Sequence, residues 1–197
     1  MLLLAIVLVV RVRFGVTTSA MTGDIADFVG VHPLTGFLSS LGSILWFVAA
    51  AVPAFTAAAL PAPRSTPVFR FLVSSALLSA WMGFDDLFVF HDWLAPNALG
   101  ISESVAVLAL AVAGLAYLIV FRDTITRLGP GMLALALLFL GASIFLDQFV
   151  THGSAYFLGA YFLEDGAKWL GIACWCSYHV GTSHRIITGD SRISSDR

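Results

Sequence analysis

One acidic motif occurs twice in the chain. In each copy an aspartate is followed by a histidine five residues later and by a glutamate twelve residues after that histidine. The two copies, offset by 61 residues, are Asp86, His91 and Glu103, and Asp147, His152 and Glu164. The chain contains no other glutamate. Because residue types match across three separated positions, the pattern predicts two copies of one structural unit.

The composition indicates that these units lie in a lipid bilayer. The chain of 197 residues is 59% hydrophobic and 11% charged, with a mean hydropathy of +0.93. A soluble domain has roughly 45–50% apolar and about 25% charged residues. The expected partner is therefore the lipid bilayer. A net charge of -2 gives no electrostatic reason to expect a nucleic acid as partner.

Long apolar stretches predict an all-α, polytopic membrane bundle with six transmembrane helices. A helical span needs about 20 apolar residues. The predicted spans cover residues 1–10, 34–60, 68–90, 101–121, 132–150 and 156–180. The first is short, so residues 1–14 form either a full span or part of one. We expect one transmembrane domain over residues 1–180, followed by a polar tail at 181–197.

The arginines predict the orientation in the membrane. Seven of them fall on one side of the predicted bundle, namely Arg64, Arg70, Arg122, Arg127, Arg185, Arg192 and Arg197. The two connections on the other side, residues 92–100 and 153–155, contain neither Lys nor Arg. The positive-inside rule then places the C-terminus in the cytoplasm. The expected location of the chain is the inner or plasma membrane of the cell. Arg11 and Arg13 oppose this six-span arrangement.

Each copy of the motif fits a helical hairpin, about 67–121 for the first and about 128–180 for the second. Asp86 and Glu103 lie at equal distance from a turn at 94–95, so they reach similar depth in the membrane. The same holds for Asp147 and Glu164 about a turn at 155–156. Both hairpins run in the same direction, and parallel repeats of this kind place functional sites at their shared interface.

Helical periodicity predicts a polar row that faces inward. At 100° per residue, Ser75, Ser79 and Asp86 lie within roughly 20–40° of one another. Lys168 and Trp175 lie on one stripe of the last helix. Each histidine of the motif is about 140° away from its aspartate. The histidines can therefore join the aspartates only from a helix end or a bend.

The acidic charge points to bound cations. A charged side chain at the middle of a membrane costs at least about 2.5–3.5 kcal/mol, so partners are expected. Lys168, the only lysine, is the predicted charge partner for one of the four carboxylates. Two divalent ions of iron, manganese or zinc would balance four carboxylates and accept histidine as well. The predicted metal ligands are Asp86, His91, Glu103, Asp147, His152 and Glu164.

Several of these residues also have an ordinary interpretation. Glu103 suits the first turn of a helix, and Glu164 with Lys168 suits a structural i,i+4 pair. His91 and His152 could be polar side chains at the membrane interface. Asp85 and Asp165 have no repeat partner and are either accessory ligands or residues facing water. His179 and His184 are assigned to the end and tail of the last helix.

Three functions fit the pattern. The leading hypothesis is a metal-binding membrane protein, and in particular a metalloenzyme, an oxidase or hydrolase, acting on a small or lipidic substrate. The second is a small proton- or cation-coupled transporter or channel that uses the same carboxylates. The third is a structural subunit of a membrane complex. The sequence names neither the substrate nor the oligomeric state.

Overall fold

A computed structural model describes residues 2–23, 26, 29–60, 66–147 and 160–189, and the regular structure within these ranges is helical throughout. In chain order the helices are α1 (Leu2–Phe14), α2 (Thr18–Thr22), α3 (Phe37–Ala59), α4 (Pro67–Phe88), a π-helix (Phe90–Leu99), α5 (Glu103–Val120), α6 (Arg122–Arg127), α7 (Gly131–Leu146) and α8 (Ala160–Thr188). The predicted all-α class is confirmed.

The chain divides into two compact units, residues 1–37 and 38–197. In the first unit, the Arg11 guanidinium donates to the Thr18 hydroxyl at 3.0 Å. The Thr17 hydroxyl accepts from the backbone N–H of Ala20 and so caps α2. With 13 residues, α1 is about 20 Å long, which is short of the roughly 30 Å of a bilayer's hydrocarbon core.

Three helices of the second unit are long and apolar enough to cross a membrane. They are α3 with 23 residues, α4 with 22 and α5 with 18. These three indicate a multi-pass membrane protein. In the part of the chain that the structure describes, α7 is a shorter apolar helix of 16 residues. The 29-residue α8 carries Glu164, Asp165 and Lys168 in its first third.

Two helical segments differ from the sequence-based boundaries. The π-helix occupies residues 90–99, where the sequence suggested a simple turn. Helix α8 continues to Thr188, eight residues beyond the predicted end of the last span at 180. It continues because Thr182, Ser183 and Ile186 are buried, so its packed face extends into the segment that composition assigned to the tail.

The ends of α4 follow from its sequence. At its start the Thr66 hydroxyl accepts from the Phe69 N–H at 3.2 Å, and Pro67 stands at the first helical position, where its missing N–H costs nothing. At its end Val89 has a φ of 50°. The left-handed region is unfavourable for a β-branched residue, so this break is strained. It redirects the chain into the π-helix.

Buried residues of α3 to α8 form one core in the second unit. The Trp46 and Trp175 rings meet edge to face at 5.8 Å between centroids, which joins α3 to α8. A Cβ at Gly83 would lie 3.0 Å from the Trp46 Cβ, and one at Gly171 would lie 2.7 Å from the Leu140 Cγ. Glycine thus permits close contact of α3 with α4 and of α7 with α8.

Helices α4 and α8 run antiparallel through this core. Along α4 from Asp86 through Ser79 to Phe71, the contacts on α8 move from Lys168 through Trp175 to His179.

Most of α5 is exposed in the protein alone, and only Ala106 and Tyr117 on it are buried. Its apolar surface suits contact with lipid, which is as apolar as the side chains it meets.

Candidate functional site: ion pairs at one end of α4

An ion pair joins α4 to α8. The Lys168 Nζ lies 2.5 Å from the Asp86 Oδ1. The Asp86 side chain exposes 6% of its surface and the Lys168 side chain 42%. A carboxylate so deeply buried needs a charged partner, because an unpaired charge in a medium of low dielectric is very costly. Lys168 supplies that charge across two antiparallel helices.

A third helix contributes to the same carboxylate. The Ser43 hydroxyl of α3 donates to the Asp86 Oδ2 at 3.3 Å. Gly42 lies next to it, and a Cβ there would come within 3.1 Å of the Ile172 side chain and 3.6 Å of Asp86 Oδ2. The small residues of α3 therefore bring its backbone close enough for a serine to reach the ion pair.

A cavity of about 30 Å³ adjoins the Asp86–Lys168 pair. That volume exceeds the about 10–15 Å³ that a cavity needs to hold one water molecule. Asp86, Asp165 and Lys168 provide charge at its wall, and the other lining residues are Leu38, Ser39, Gly42, Trp169 and Ile172. The ion pair thus has space beside it for a small polar guest such as water.

Asp85, the neighbour of Asp86, belongs to a different pair. Its Oδ2 lies 2.6 Å from the His91 Nδ1, and its Oδ1 accepts from the His91 backbone N–H at 3.1 Å. The break at Val89 turns the chain so that His91 comes back to α4. The sequence predicted that the histidine would have to reach back from a helix end, and it does so to Asp85.

His91 is held between two carboxylates. Its Nε2 lies 3.1 Å from the Asp92 Oδ1, while its Nδ1 faces Asp85. The hydrogen bond to Asp85 and then that to Asp92 raise the pKa of His91 to about 10. The same contact with His91 lowers the pKa of Asp92. At neutral pH His91 is therefore a cation that bridges two acids.

An apolar cavity of about 220 Å³ lies beside Asp85. It is formed between α4, the π-helix and α5. Its lining residues are Trp81, Asp85, Phe90, Ile101, Val105, Ala106, Ala109 and Leu110. Asp85 is the charged group among them. The lining of this cavity would suit a small ligand with an apolar body and one polar end.

Below the ion pairs, hydrogen-bonded side chains continue through the core. The Trp175 indole N–H donates to the Ser79 hydroxyl at 2.9 Å. Ser75 and Tyr117 share a hydrogen bond of 2.8 Å between their hydroxyls, and Ser75 also donates to the Phe71 carbonyl. Ser75 and Ser79 are fully buried. The inward row that helical periodicity predicted on α4 is therefore present.

The other predicted ligands differ in exposure, and one of them lies outside the described ranges. Glu103 is exposed at the first residue of α5. Asp147 follows α7 and Glu164 lies near the start of α8, and both are half-buried. His152 lies outside the described residues. Within the described ranges no three His, Cys, Asp or Glu side chains are arranged to hold a metal ion.

Three contributors were not predicted as partners of the site. Asp85, which lacks a repeat partner, was predicted to be either an accessory ligand or a residue facing water, and it pairs with His91. Ser43 was not predicted to contact Asp86, since nothing in the sequence links the two residues. His179 was assigned to a helix end, whereas it is buried at 0% exposure. Only the spacing of His179 from Lys168 and Trp175, on one helical stripe, could have indicated this.

The comparisons with known proteins give a family and no function. The model of the family described as "Domain of unknown function (DUF8692)" matches residues 1–182. No curated protein and no solved structure matches the chain.

Proposed function

The chain belongs to the DUF8692 family, and we propose that it is a membrane transporter or channel that moves protons or small cations through a site built on Asp86 and Lys168. The observation that carries the proposal is the ion pair of 2.5 Å on a carboxylate that is 6% exposed. Ionisable residues among membrane helices mark ion or proton pathways by default, since their insertion is so costly.

The surroundings of the pair support this function. The Ser43 hydroxyl donates to the second oxygen of Asp86, and a cavity with room for water adjoins Lys168. A proton that neutralises Asp86 would release Lys168 from it. A small cation that replaced the ammonium beside Asp86 would do the same. Both exchanges need polar space next to the pair, which this cavity offers.

The proposal includes the six-span topology with a cytoplasmic C-terminus. Support comes from the arginines at the ends of the second unit's helices. The Arg185 guanidinium near the end of α8 donates to the Leu128 carbonyl just after α6. Arg122 and Arg127 of α6 therefore lie at the same end of this unit as Arg185. A shared basic end is typical of the cytoplasmic side.

The test is proton and cation flux in liposomes that contain the purified protein. Wild type should dissipate an imposed pH gradient or take up a monovalent cation, and Asp86→Asn should abolish that flux. Asp123→Asn is the matched control, because Asp123 is 80% exposed on α6 and should be replaceable without effect. Wild-type flux equal to that of protein-free liposomes would contradict the proposal. So would full flux in Asp86→Asn.

A metal-binding site, which would make the chain a metalloenzyme, is the second candidate. The duplicated motif favours it, together with the half-buried carboxylates of Asp147 and Glu164. His152, Glu103, Asp86 and His91 would complete the proposed ligand set. An enzyme of this kind would take a lipidic substrate into the apolar cavity beside Asp85.

Elemental analysis of the detergent-purified protein separates the two candidates. The metalloenzyme predicts one or two equivalents of iron, manganese or zinc per chain, lost in Asp147→Asn. The transporter predicts no stoichiometric metal and a flux that chelators leave unchanged. Metal content in both wild type and Asp147→Asn would count against this ligand set.

A further inference from the structure

The cavity of about 220 Å³ between α4, the π-helix and α5 has room for an organic ligand. Its lining side chains are apolar apart from the Asp85 carboxylate and the Trp81 indole N–H. An apolar cavity of about 150 Å³ is already large enough to hold benzene and to stay dry. The lining therefore favours a molecule with an apolar group of about that size over water.

The charge beside this cavity is negative. Asp85 and Asp92 carry two carboxylates, and His91 between them carries at most one positive charge. The Asp85 side chain is only 7% exposed, so water and salt screen its charge little. His91 uses one position on each Asp85 oxygen, whereas a carboxylate offers about four. Asp85 therefore has both the charge and the acceptor capacity to attract a cation.

Two aromatic rings share the wall of the cavity with Asp85. Trp81 and Phe90 both line it, with 5.4 Å between their ring centroids and 67° between their planes. A cation over the face of such a ring is attracted by the negative charge of the π-system, and aromatic cages recognise organic ammonium ions in this way. A carboxylate together with two rings thus favours an ammonium ion over a neutral ligand.

The backbone after α4 supplies part of this wall. Val89 has a φ of 50°, which is strained for a β-branched residue, and the π-helix Phe90–Leu99 follows it directly. Because of this break, Phe90 lines the cavity and His91 reaches Asp85. Strained residues and π-helical segments are frequent at functional sites. Their position here supports a ligand site.

Aliphatic side chains of α5 and the residues just before it provide the apolar part of the lining. They include Ile101, Val105 and Leu110. Ile101 is 39% exposed and Val105 is 55% exposed, so the cavity reaches the surface of the second unit at these residues. A ligand can therefore enter from outside the protein.

We propose that this cavity binds a small organic ammonium ion, with its nitrogen between Asp85 and the rings of Trp81 and Phe90 and its apolar group against the aliphatic lining. A phospholipid with an ammonium headgroup is disfavoured, because its phosphate would meet the negative charge of Asp85 and Asp92. The cavity shares no lining residue with the one beside Lys168, so the site does not depend on the proposed transport function.

Binding is measured by isothermal titration calorimetry of the protein in a nonionic detergent, with benzyltrimethylammonium as the probe. Wild type should give saturable, stoichiometric binding. Ala109→Phe should abolish it, because Ala109 lines the cavity and the new ring would fill the space. Ala111→Phe is the matched control, since Ala111 is exposed on the same helix and is not a lining residue. Wild type without saturable binding, or equal binding in Ala109→Phe, would overturn the proposal.

The role of charge is tested with neopentylbenzene, which has the shape of the probe and a carbon in place of its cationic nitrogen. Asp85→Asn should weaken binding of benzyltrimethylammonium by about tenfold or more and leave that of neopentylbenzene unchanged. Equal effects on the two ligands would refute ammonium recognition. Circular dichroism checks the fold. If Asp85→Asn does not fold, Trp81→Leu decides, since loss of the ring should weaken binding of the cation more than that of the neutral ligand.

Phosphatidylcholine added to the micelles tests the other source of an ammonium group. Unchanged binding of benzyltrimethylammonium supports a free organic ion, whereas its displacement would assign the cavity to a lipid headgroup and overturn that choice. Liposome flux tests transport through the Asp86–Lys168 site, and calorimetry tests this cavity. The failure of one proposal therefore leaves the other standing.

Discussion

Asp85 and Asp86 are adjacent in the chain, yet their carboxylates pair with different cations from different elements. Asp85 lies 2.6 Å from the ring of His91 in the π-helix, and Asp86 lies 2.5 Å from the ammonium of Lys168 in α8. Successive residues of a helix point about 100° apart, so two adjacent carboxylates on α4 can contact two different helices. Helix α4 therefore connects a local network at its end with the interhelical pair in the core.

Replacing Lys168 of the Asp86–Lys168 pair should lower the free energy of unfolding more than replacing Asp86. Lys168→Met leaves the 6%-exposed carboxylate of Asp86 charged and unpaired, whereas Asp86→Asn leaves an ammonium that is 42% exposed. We expect Lys168→Met to lower the free energy of unfolding by about 3 kcal/mol and Asp86→Asn by roughly 1 kcal/mol. Unfolding in detergent, followed by circular dichroism, measures both.

The double variant Asp86→Asn/Lys168→Met is the decisive control for that pair. With both charges gone no unpaired charge is buried, so its stability should exceed that of Lys168→Met. Equal losses in the two single variants, or a double variant no better than Lys168→Met, would show that the pair does not determine the stability of this site.

The network around His91 predicts a dependence of stability on pH. Its pKa is raised from an ordinary 6.5 to about 10 in the folded protein. The stabilisation that the His91 network gives is therefore fully present below pH 6.5. Above that pH it falls, because His91 loses its proton in the unfolded chain and keeps it in the folded protein. It is lost once the pH passes about 10. The difference in melting temperature between wild type and His91→Gln should shrink from pH 6 to pH 10.

A direct check is the chemical shift of the His91 ring, which should stay that of the protonated form through pH 8. His32, exposed in the first unit, serves as a reference in the same sample. A His91 ring that loses its proton near pH 6.5 would contradict the bridging role between Asp85 and Asp92.

The sequence predicted the helices well because their signal is local. The apolar stretches that become α3, α4 and α5 are long and uninterrupted, and their length alone matches a membrane span. The inward row of Ser75 and Ser79 follows from the 100° step of a helix. Lys168, the only lysine, was predicted to offset the charge of one of the four carboxylates, and it pairs with Asp86.

The partners within the site depend on tertiary structure and could not be predicted. His91 reaches Asp85 only because Val89 adopts a left-handed conformation, which no propensity predicts for a β-branched residue. Ser43 meets Asp86 because α3 packs closely at Gly42, and the sequence does not specify which helix lies opposite. His179 is buried because α8 continues to Thr188, past residue 180, where a polar composition suggested its end.

Ser79→Ala should destabilise the core by leaving a buried donor unpaired. The Trp175 indole N–H donates to Ser79 at 2.9 Å, and Ser79 is fully buried. The expected loss is about 1–3 kcal/mol in the free energy of unfolding. Ser177→Ala is the control, because Ser177 is exposed and its hydroxyl donates only to the Ala173 carbonyl of its own helix. Similar effects of the two substitutions would contradict a role for the indole bond.

Close packing of α7 against α8 at Gly171 gives the last prediction. A Cβ there would lie 2.7 Å from the Leu140 Cγ and 3.0 Å from the Leu140 backbone nitrogen. Gly171→Ala must therefore push the helices apart, and we expect a loss of about 1–3 kcal/mol in the free energy of unfolding.

Gly166 is the matched control on the same helix, since a Cβ there would meet nothing within 4 Å. Gly166→Ala should raise stability by about 0.5–1 kcal/mol, because alanine loses less backbone freedom than glycine on forming a helix. Thermal unfolding of both variants in one detergent measures the difference in sign. If both substitutions stabilise the protein, α7 and α8 are not in close contact at Leu140. Packing against α7 would then not be what holds α8 in the position that aligns Lys168 with Asp86.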